Sequence, residues 1–146
     1  MTPVLAQDKA PVNVVHPVWV HVVVTGSVPG YTTSQLTQYL VVAMRKSVPQ
    51  PWVMTADPTI IAGNRVDWRF KTLRTIWKGG SHSGFPSQDN VVTYISAEVR
   101  TYIKGEYQMT LALHPSILSQ NEDQALADMA REASRILFVQ NAPKLN

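Results

Sequence analysis

Alternation of apolar and polar residues is strongest in the segment 65–78. Val66, Trp68 and Phe70 alternate with charged residues, and a two-residue period gives an extended strand one apolar and one charged face. The alternation slips by one position at Thr72–Leu73, after which the large apolar residues stand at odd numbers. A bulge or a strong twist there would keep both apolar sets inside. We therefore predict a long central strand with an irregularity near its middle.

Three further segments have the pattern of strands. Residues 18–25 are dense in β-branched residues and apolar on both faces apart from His21, which is typical of a strand well inside a sheet. Residues 91–103 alternate, with apolar residues and threonine at odd positions and polar or aromatic residues at even ones. Residues 107–113 repeat the pattern, again with the apolar face at odd positions. A weaker, short strand is predicted within 50–64, where Pro51 and Pro58 flank two apolar runs.

The apolar residues of the last two strands both stand at odd positions, so the length of the turn between the strands decides whether they share a face. A two-residue turn at 104–105 would place Ile103 opposite Glu106 and put the two apolar sets on opposite faces of the sheet. A three-residue turn, 104–106, keeps them on one face, so we predict the longer turn. The resulting pairs are Ile103 with Tyr107, Thr101 with Met109, Val99 with Leu111, and Ala97 with Leu113.

Two helices are predicted. The first starts at Thr32, Thr33 or Ser34 as N-cap and ends before Pro49. Its inner face consists of Leu36, Leu40, Ala43 and Ser47, with Tyr39 and Met44 on the flanks. The second starts at a capping box, Ser119–Glu122, and runs through Phe138. Its apolar residues at helical spacing are Leu126, Met129, Ala130, Ala133, Ile136 and Leu137.

These elements predict an α+β fold: a mainly antiparallel twisted sheet of four to five strands with two helices packed on one face, in the order β-α-(β)-β-β-β-α. We expect a single domain over 18–140, an extended N-terminal arm over 1–17 and a frayed tail over 141–146.

Composition excludes several classes of site. The 146 residues carry 13 basic and 10 acidic side chains, a formal net charge of +3, spread along the chain. A nucleic-acid partner is therefore not expected. There is no cysteine, which excludes disulfides and thiolate metal ligands. No apolar run approaches the roughly 20 residues that span a bilayer.

Val4-Leu5-Ala6 before Gln7 is typical of the end of a secretory signal peptide cut after Ala6. This pattern predicts export to the periplasm or the exterior. The alternative is a flexible arm in which the three residues occur by chance.

The glycine-rich loop 79–90 is the first candidate for chemistry. The glycine-rich sequence is not followed by the Lys-Ser or Lys-Thr pair that ends a phosphate-binding P-loop. His82 lies between two serines, but adjacent Ser and His side chains rarely reach triad geometry, and the orienting acid would have to be Asp89 or a residue from elsewhere. The other histidines are isolated and show no metal-ligand spacing. We predict no catalytic residue, no cofactor and no metal.

Aromatic residues interleaved with arginine are the second candidate. Trp68 belongs to the core face, and Asp67 lies among basic residues where a salt bridge explains it. Tyr, Trp and Arg are enriched at protein interfaces. The predicted binding surface consists of Arg74, Trp77, His82, Tyr94, Arg100 and Tyr102.

The order of elements, with 64–70 entering a long strand after the first helix and 125–138 closing the domain, resembles the plan of small periplasmic auxiliary lipoproteins of transporter and wall-synthesis complexes. The resemblance covers roughly residues 18–138, and the lipid-bearing cysteine of those proteins is absent. It implies a non-enzymatic exported accessory domain that contacts another envelope protein. The alternative is a domain that binds a small ligand or carbohydrate, or a hydrolase, with its site at the loop 79–90.

Overall fold

Strands and helices alternate along the first half of the chain and separate in the second. A computed structural model describes residues 16–77, 90–117 and 122–143, with the backbone alone at 76–77, 90–91 and 122–123. In chain order the described elements are β1 (Val18–Thr25), α1 (Thr33–Arg45), β2 (Trp52–Thr55), β3 (Asn64–Trp77), β4 (Asn90–Ile103), β5 (Glu106–Ala112), β6 (Ser116–Ile117) and α2 (Glu122–Arg135). A π-helical segment, Ile136–Gln140, continues α2.

The strands form one mixed sheet in the order β2-β1-β3-β4-β5, with the short β6 also paired to β4. β1 runs parallel to both β2 and β3, whereas β4 is antiparallel to β3, β5 and β6. The α+β class is confirmed, but the expectation of a mainly antiparallel sheet has to be corrected, and the predicted order lacked β6. The physical reason is α1, which carries the chain across the sheet so that the next strand runs in the same direction as β1.

α1 begins at a capping box. The Thr32 hydroxyl accepts a hydrogen bond from the backbone N–H of Gln35 at 3.1 Å, and the Gln35 side chain accepts one from the backbone N–H of Thr32 at 2.8 Å. This confirms Thr32 among the three predicted caps. The inner face is rotated relative to the prediction, since Ala43 and Ser47 are only half-buried. The buried residues are Leu36, Leu40, Val41 and Met44.

Of the two irregularities considered at Thr72–Leu73, a bulge or a strong twist, the bulge is absent. β3 and β4 pair without interruption from Arg65 opposite Tyr102 to Trp77 opposite Asn90. The slip in the pattern has another cause: Leu73, at an odd position, lies on the face of the sheet that points away from the helices, where it is 50% exposed.

The turn between β4 and β5 has two residues, Lys104 and Gly105, with φ of 53° and 80°. The predicted three-residue turn is therefore wrong, because Ile103 lies opposite Glu106. A register shift follows at once, between Tyr102 and Thr101, and leaves Gln108 as an extra residue. Thr101 then pairs with Met109 and Val99 with Leu111, as predicted. The two-residue turn alone would put the apolar residues of β4 and β5 on opposite faces of the sheet. The bulge at Gln108 returns them to the same face.

The core lies between the two helices and one face of the sheet. Its largest fully buried side chains include Trp68 of β3, Leu36 and Leu40 of α1, and Phe138 beyond α2. Trp52 of β2 packs on Phe138 with ring centroids 5.7 Å apart. Four of the predicted positions on α2, Leu126, Met129, Ala130 and Ala133, are buried, as is Leu137 just after it. Most of the predicted capping box lies outside the described residues.

Candidate binding surface

The face of the sheet that points away from both helices is the principal functional candidate. Successive side chains of a strand point to opposite faces, and the odd positions of β3 and the even positions of β4 are opposite to the buried ones. We call this the open face. It is formed by Val23 and Thr25 of β1, Arg65, Asp67, Arg69, Lys71 and Leu73 of β3, Tyr94, Ser96, Glu98, Arg100 and Tyr102 of β4, and Tyr107, Thr110 and Ala112 of β5.

One margin of the sheet is closed by the protein itself. The segment 56–62 is held against β1 by His21, whose Nε2 donates to the carbonyl of Ile60 at 2.6 Å. Val53 and Thr55 of the neighbouring strand β2 are also buried. In this segment, the hydroxyl and the backbone N–H of Thr59 both donate to Asp57, which lowers the pKa of that carboxyl. The open face therefore extends from β1 towards β5.

Charges on the open face are paired along each strand. Arg65 Nε lies 3.1 Å from both carboxylate oxygens of Asp67, and a guanidinium nitrogen of Arg100 lies 2.9 Å from Glu98. The carboxylates accept hydrogen bonds from the charged guanidinium groups, so the pKa of Arg65 and that of Arg100 are raised. Exposed pairs of this kind contribute little to stability. Their main effect is to fix where each charge is presented.

Aromatic rings form one end of the open face. The Arg65 guanidinium lies over the ring of Tyr102, 4.0 Å from its centroid. Tyr102 packs edge-on against Tyr107 at 5.8 Å, and the Tyr107 hydroxyl shares a 2.6 Å hydrogen bond with Thr110. Tyr107 is still 56% exposed. Tyrosine rings held in this way offer a large amphipathic contact area at low entropic cost.

The other end of the open face is a groove of about 640 Å³. It lies where β1 ends, at the row that joins Thr25, Arg69, Glu98 and Ala112 in register. Its lining includes the small residues Gly26, Ser96, Ala97 and Ala112, the apolar residues Phe70 and Leu113, and the cations Arg69 and Lys71. Among the described residues, neither cation has an acidic side chain within 4 Å.

Only part of the predicted surface comes together. Tyr94, Arg100 and Tyr102 share the open face, but Arg74 lies opposite Thr93 on the reverse face of the hairpin. The backbone of Trp77 pairs with that of Asn90 at the end of β3, and His82 lies outside the described residues. The role of these residues in binding stays a prediction.

Sequence reasoning missed Tyr107, which the predicted turn assigned to the core. It explained Asp67 by a salt bridge with the basic residues around it and did not separate Arg69 and Lys71 from that pairing. A signal for these two cations was present in the sequence, because Asp67 is the one acid beside three basic residues on that strand face and cannot neutralise all of them.

No protein-family model matches this sequence, and no curated protein matches it significantly. Among solved structures, the crystal structure of an uncharacterized protein superposes with a TM-score of 0.47 and 15% identity, covering 86% of this chain and 92% of that one. A second crystal structure, described as that of a "putative neuraminyllactose-binding hemagglutinin homolog from Helicobacter pylori", superposes with a TM-score of 0.39 and 13% identity, covering 90% and 86%.

The described part of the chain contains no group of three His, Asp or Glu side chains placed to hold a metal ion. Neither described helix is long and apolar enough to cross a membrane. The alternative site at the loop 79–90 falls almost wholly outside the described residues.

Proposed function

We propose that this chain is a non-enzymatic accessory domain of a bacterial cell-envelope assembly, and that it binds another protein through the open face. The observation that carries the proposal is the open face itself. No described element covers it, and it presents fixed charges between a tyrosine cluster and a groove.

The composition of the open face favours a protein partner. Tyr and Arg are enriched at protein interfaces, and here Arg65, Tyr102 and Tyr107 contact one another. Acidic Asp67 and Glu98 alternate with the basic residues, whereas a nucleic-acid surface would need an uninterrupted basic stripe. The alternation suits a partner with a matching pattern of charges, since complementary charges set specificity and suppress wrong partners.

The envelope location rests on Val4-Leu5-Ala6 before Gln7. Its test is fractionation of the source cells, followed by mass spectrometry of the mature N-terminus. A periplasmic or extracellular protein that starts at Gln7 supports the proposal. A cytosolic protein that retains residues 1–6 contradicts the location and leaves the binding surface to be tested by itself.

Capture from intact cells tests the binding surface. A tagged wild-type chain is cross-linked in its source cells and compared with the double variant Arg100→Glu, Tyr107→Ser. The variant removes the Arg100–Glu98 charge pair and the Tyr107 ring. The Arg100 side chain is 49% exposed and Tyr107 is 56% exposed, so neither substitution alters a buried side chain. We expect at least a tenfold loss of the captured partner.

The matched control is Val42→Ser, Val139→Ser, which alters two exposed apolar side chains on the helical side of the protein. It should capture the partner like the wild type, and circular dichroism should show that both double variants remain folded. A partner that is lost from the control and retained by the Arg100, Tyr107 variant would place the interface on the helices and overturn the proposal.

A further inference from the structure

The groove of the open face carries an excess of positive charge. The two acids of the open face, Asp67 and Glu98, are each paired with an arginine two residues away on their own strand. Within the described ranges, Arg69 and Lys71 have no acidic side chain within 4 Å. Four cations and two acids give the open face a local charge of +2, concentrated at the groove.

The spacing of the unpaired cations is fixed by the strand. Arg69 and Lys71 are two residues apart on β3, so their Cα atoms are about 6.6 to 7 Å apart and their side chains share a face. β4 holds that stretch in an uninterrupted register, with Arg69 opposite Glu98 and Lys71 opposite Ser96. The cations are therefore presented at the separation of alternate side chains in an extended segment.

The groove has room for such a segment, with a volume of about 640 Å³. Three of its lining residues, Gly26, Ser96 and Ala112, have small side chains or none, and Arg69 and Lys71 line the same groove. Thr25 and Ser96 bring hydroxyl groups to the same place. A guanidinium fork binds a carboxylate or a phosphate with two hydrogen bonds.

We infer that the groove binds an extended acidic segment of the partner protein, with carboxylates two residues apart on Arg69 and Lys71. This rests on the proposed function and names the chemistry of the partner. Glu98 in the groove wall and Asp67 beyond it interrupt the positive charge, which disfavours a continuous polyanion such as nucleic acid or an anionic lipid surface. A segment with separate carboxylates avoids those two positions.

The inference is tested with a synthetic decapeptide that alternates glutamate and threonine, titrated into ¹⁵N-labelled protein and followed by NMR. We expect amide shifts at Thr25, Gly26, Arg69, Lys71 and Ser96. The double variant Arg69→Gln, Lys71→Gln should weaken binding at least tenfold, and a rise from 50 to 200 mM salt should weaken it in the wild type. The control Arg131→Gln, Arg135→Gln, on exposed positions of α2, should bind within twofold of the wild type.

Three results would overturn the inference: no amide shift at about 1 mM peptide, equal affinity in the Arg69, Lys71 variant, or an equally strong response to a lysine-threonine decapeptide. Inorganic phosphate and phosphatidylglycerol vesicles are titrated in parallel, and tighter binding of either would assign the groove to an anion or a lipid. If capture in cells depends on Arg100 and Tyr107 while the acidic peptide fails, this inference falls and the proposed function stands.

Discussion

At the scale of single residues, Gly26 decides where the open face has its groove. It follows the last residue of β1 with φ of 83°, and a Cβ built on it would lie 2.1 Å from the carbonyl oxygen of Phe70. The chain thus leaves the sheet by passing closer to β3 than any side chain permits. The close approach to Phe70 depends on a contact across 44 positions, which local sequence pattern does not encode.

Gly26 and Gly105 have nearly the same positive φ, but only Gly26 lies against another part of the backbone. Substituting each by alanine therefore distinguishes the cost of the backbone conformation from the cost of a steric clash. Gly26→Ala should lower the free energy of unfolding by at least about 3 kcal/mol, because a positive φ is combined with a backbone clash. Gly105→Ala should cost about 1 kcal/mol, because φ is 80° but no atom lies within 4 Å of its Cβ. Urea denaturation of both variants measures the difference. Equal losses would show that β1 does not approach Phe70 in this way.

At the scale of elements, strands were predictable and their connections were not. A run of β-branched residues located β1 at 18–25. Alternation located the apolar face of β4, because burial on one face imposes a two-residue period. Parity also gave the correct pairs of Thr101 and Val99 with β5. Parity did not predict the length of the turn. A three-residue turn, or a two-residue turn followed by a bulge, places the apolar residues of both strands on the same face. Lys104 in the left-handed region distinguishes them, and a lysine gives no sequence signal for it.

Deletion of Gln108 tests the bulge. Removing the extra residue leaves Tyr102 opposite Tyr107 and Thr101 opposite Met109 in a regular ladder, so the free energy of unfolding should change by about 1 kcal/mol or less. Deletion of Thr110, two residues on, should cost about 2 kcal/mol or more, because Leu111 or Met109 must leave the helix-covered face. Urea denaturation of the two deletions compares them, and a larger loss for Gln108 would refute the register.

The edge strand β2 illustrates a contact that no periodicity predicts. Arg45, at the end of α1, donates from Nε to the carbonyl of Met54 at 2.7 Å. The side chain thereby occupies an acceptor on the edge of the sheet, where an unsatisfied row would invite another strand.

Arg45→Leu should lower the free energy of unfolding by about 2 kcal/mol, the range of a hydrogen bond from a charged group. It should also promote association, seen as a concentration-dependent mass in light scattering. Arg135→Leu, on an exposed position in the last turn of α2, serves as the control and should cost less than about 1 kcal/mol. A monomeric Arg45→Leu protein with unchanged stability would contradict the role given to this contact.

At the scale of the whole molecule, the fold class was predictable because it depends on the count and order of elements. The direction of the strands was not, because β1 is apolar on both faces and that pattern fits an inner strand of either direction. The open face shows the same limit. Arg65, Tyr102 and Tyr107 meet only through the register of three strands, whereas the sequence placed Arg74 with them and the structure places it on the reverse face.

The central claim is that the partner binds the open face, and position-specific photo-cross-linking in the source cells tests it most directly. A photoreactive amino acid is placed singly at Lys71, Arg100 and Tyr107, and at Val42 and Val139 on the helical side. The account predicts an adduct of one mass from the three open-face positions and none from the two helical ones. An adduct confined to Val42 or Val139, or equal yields from all five positions, would contradict it.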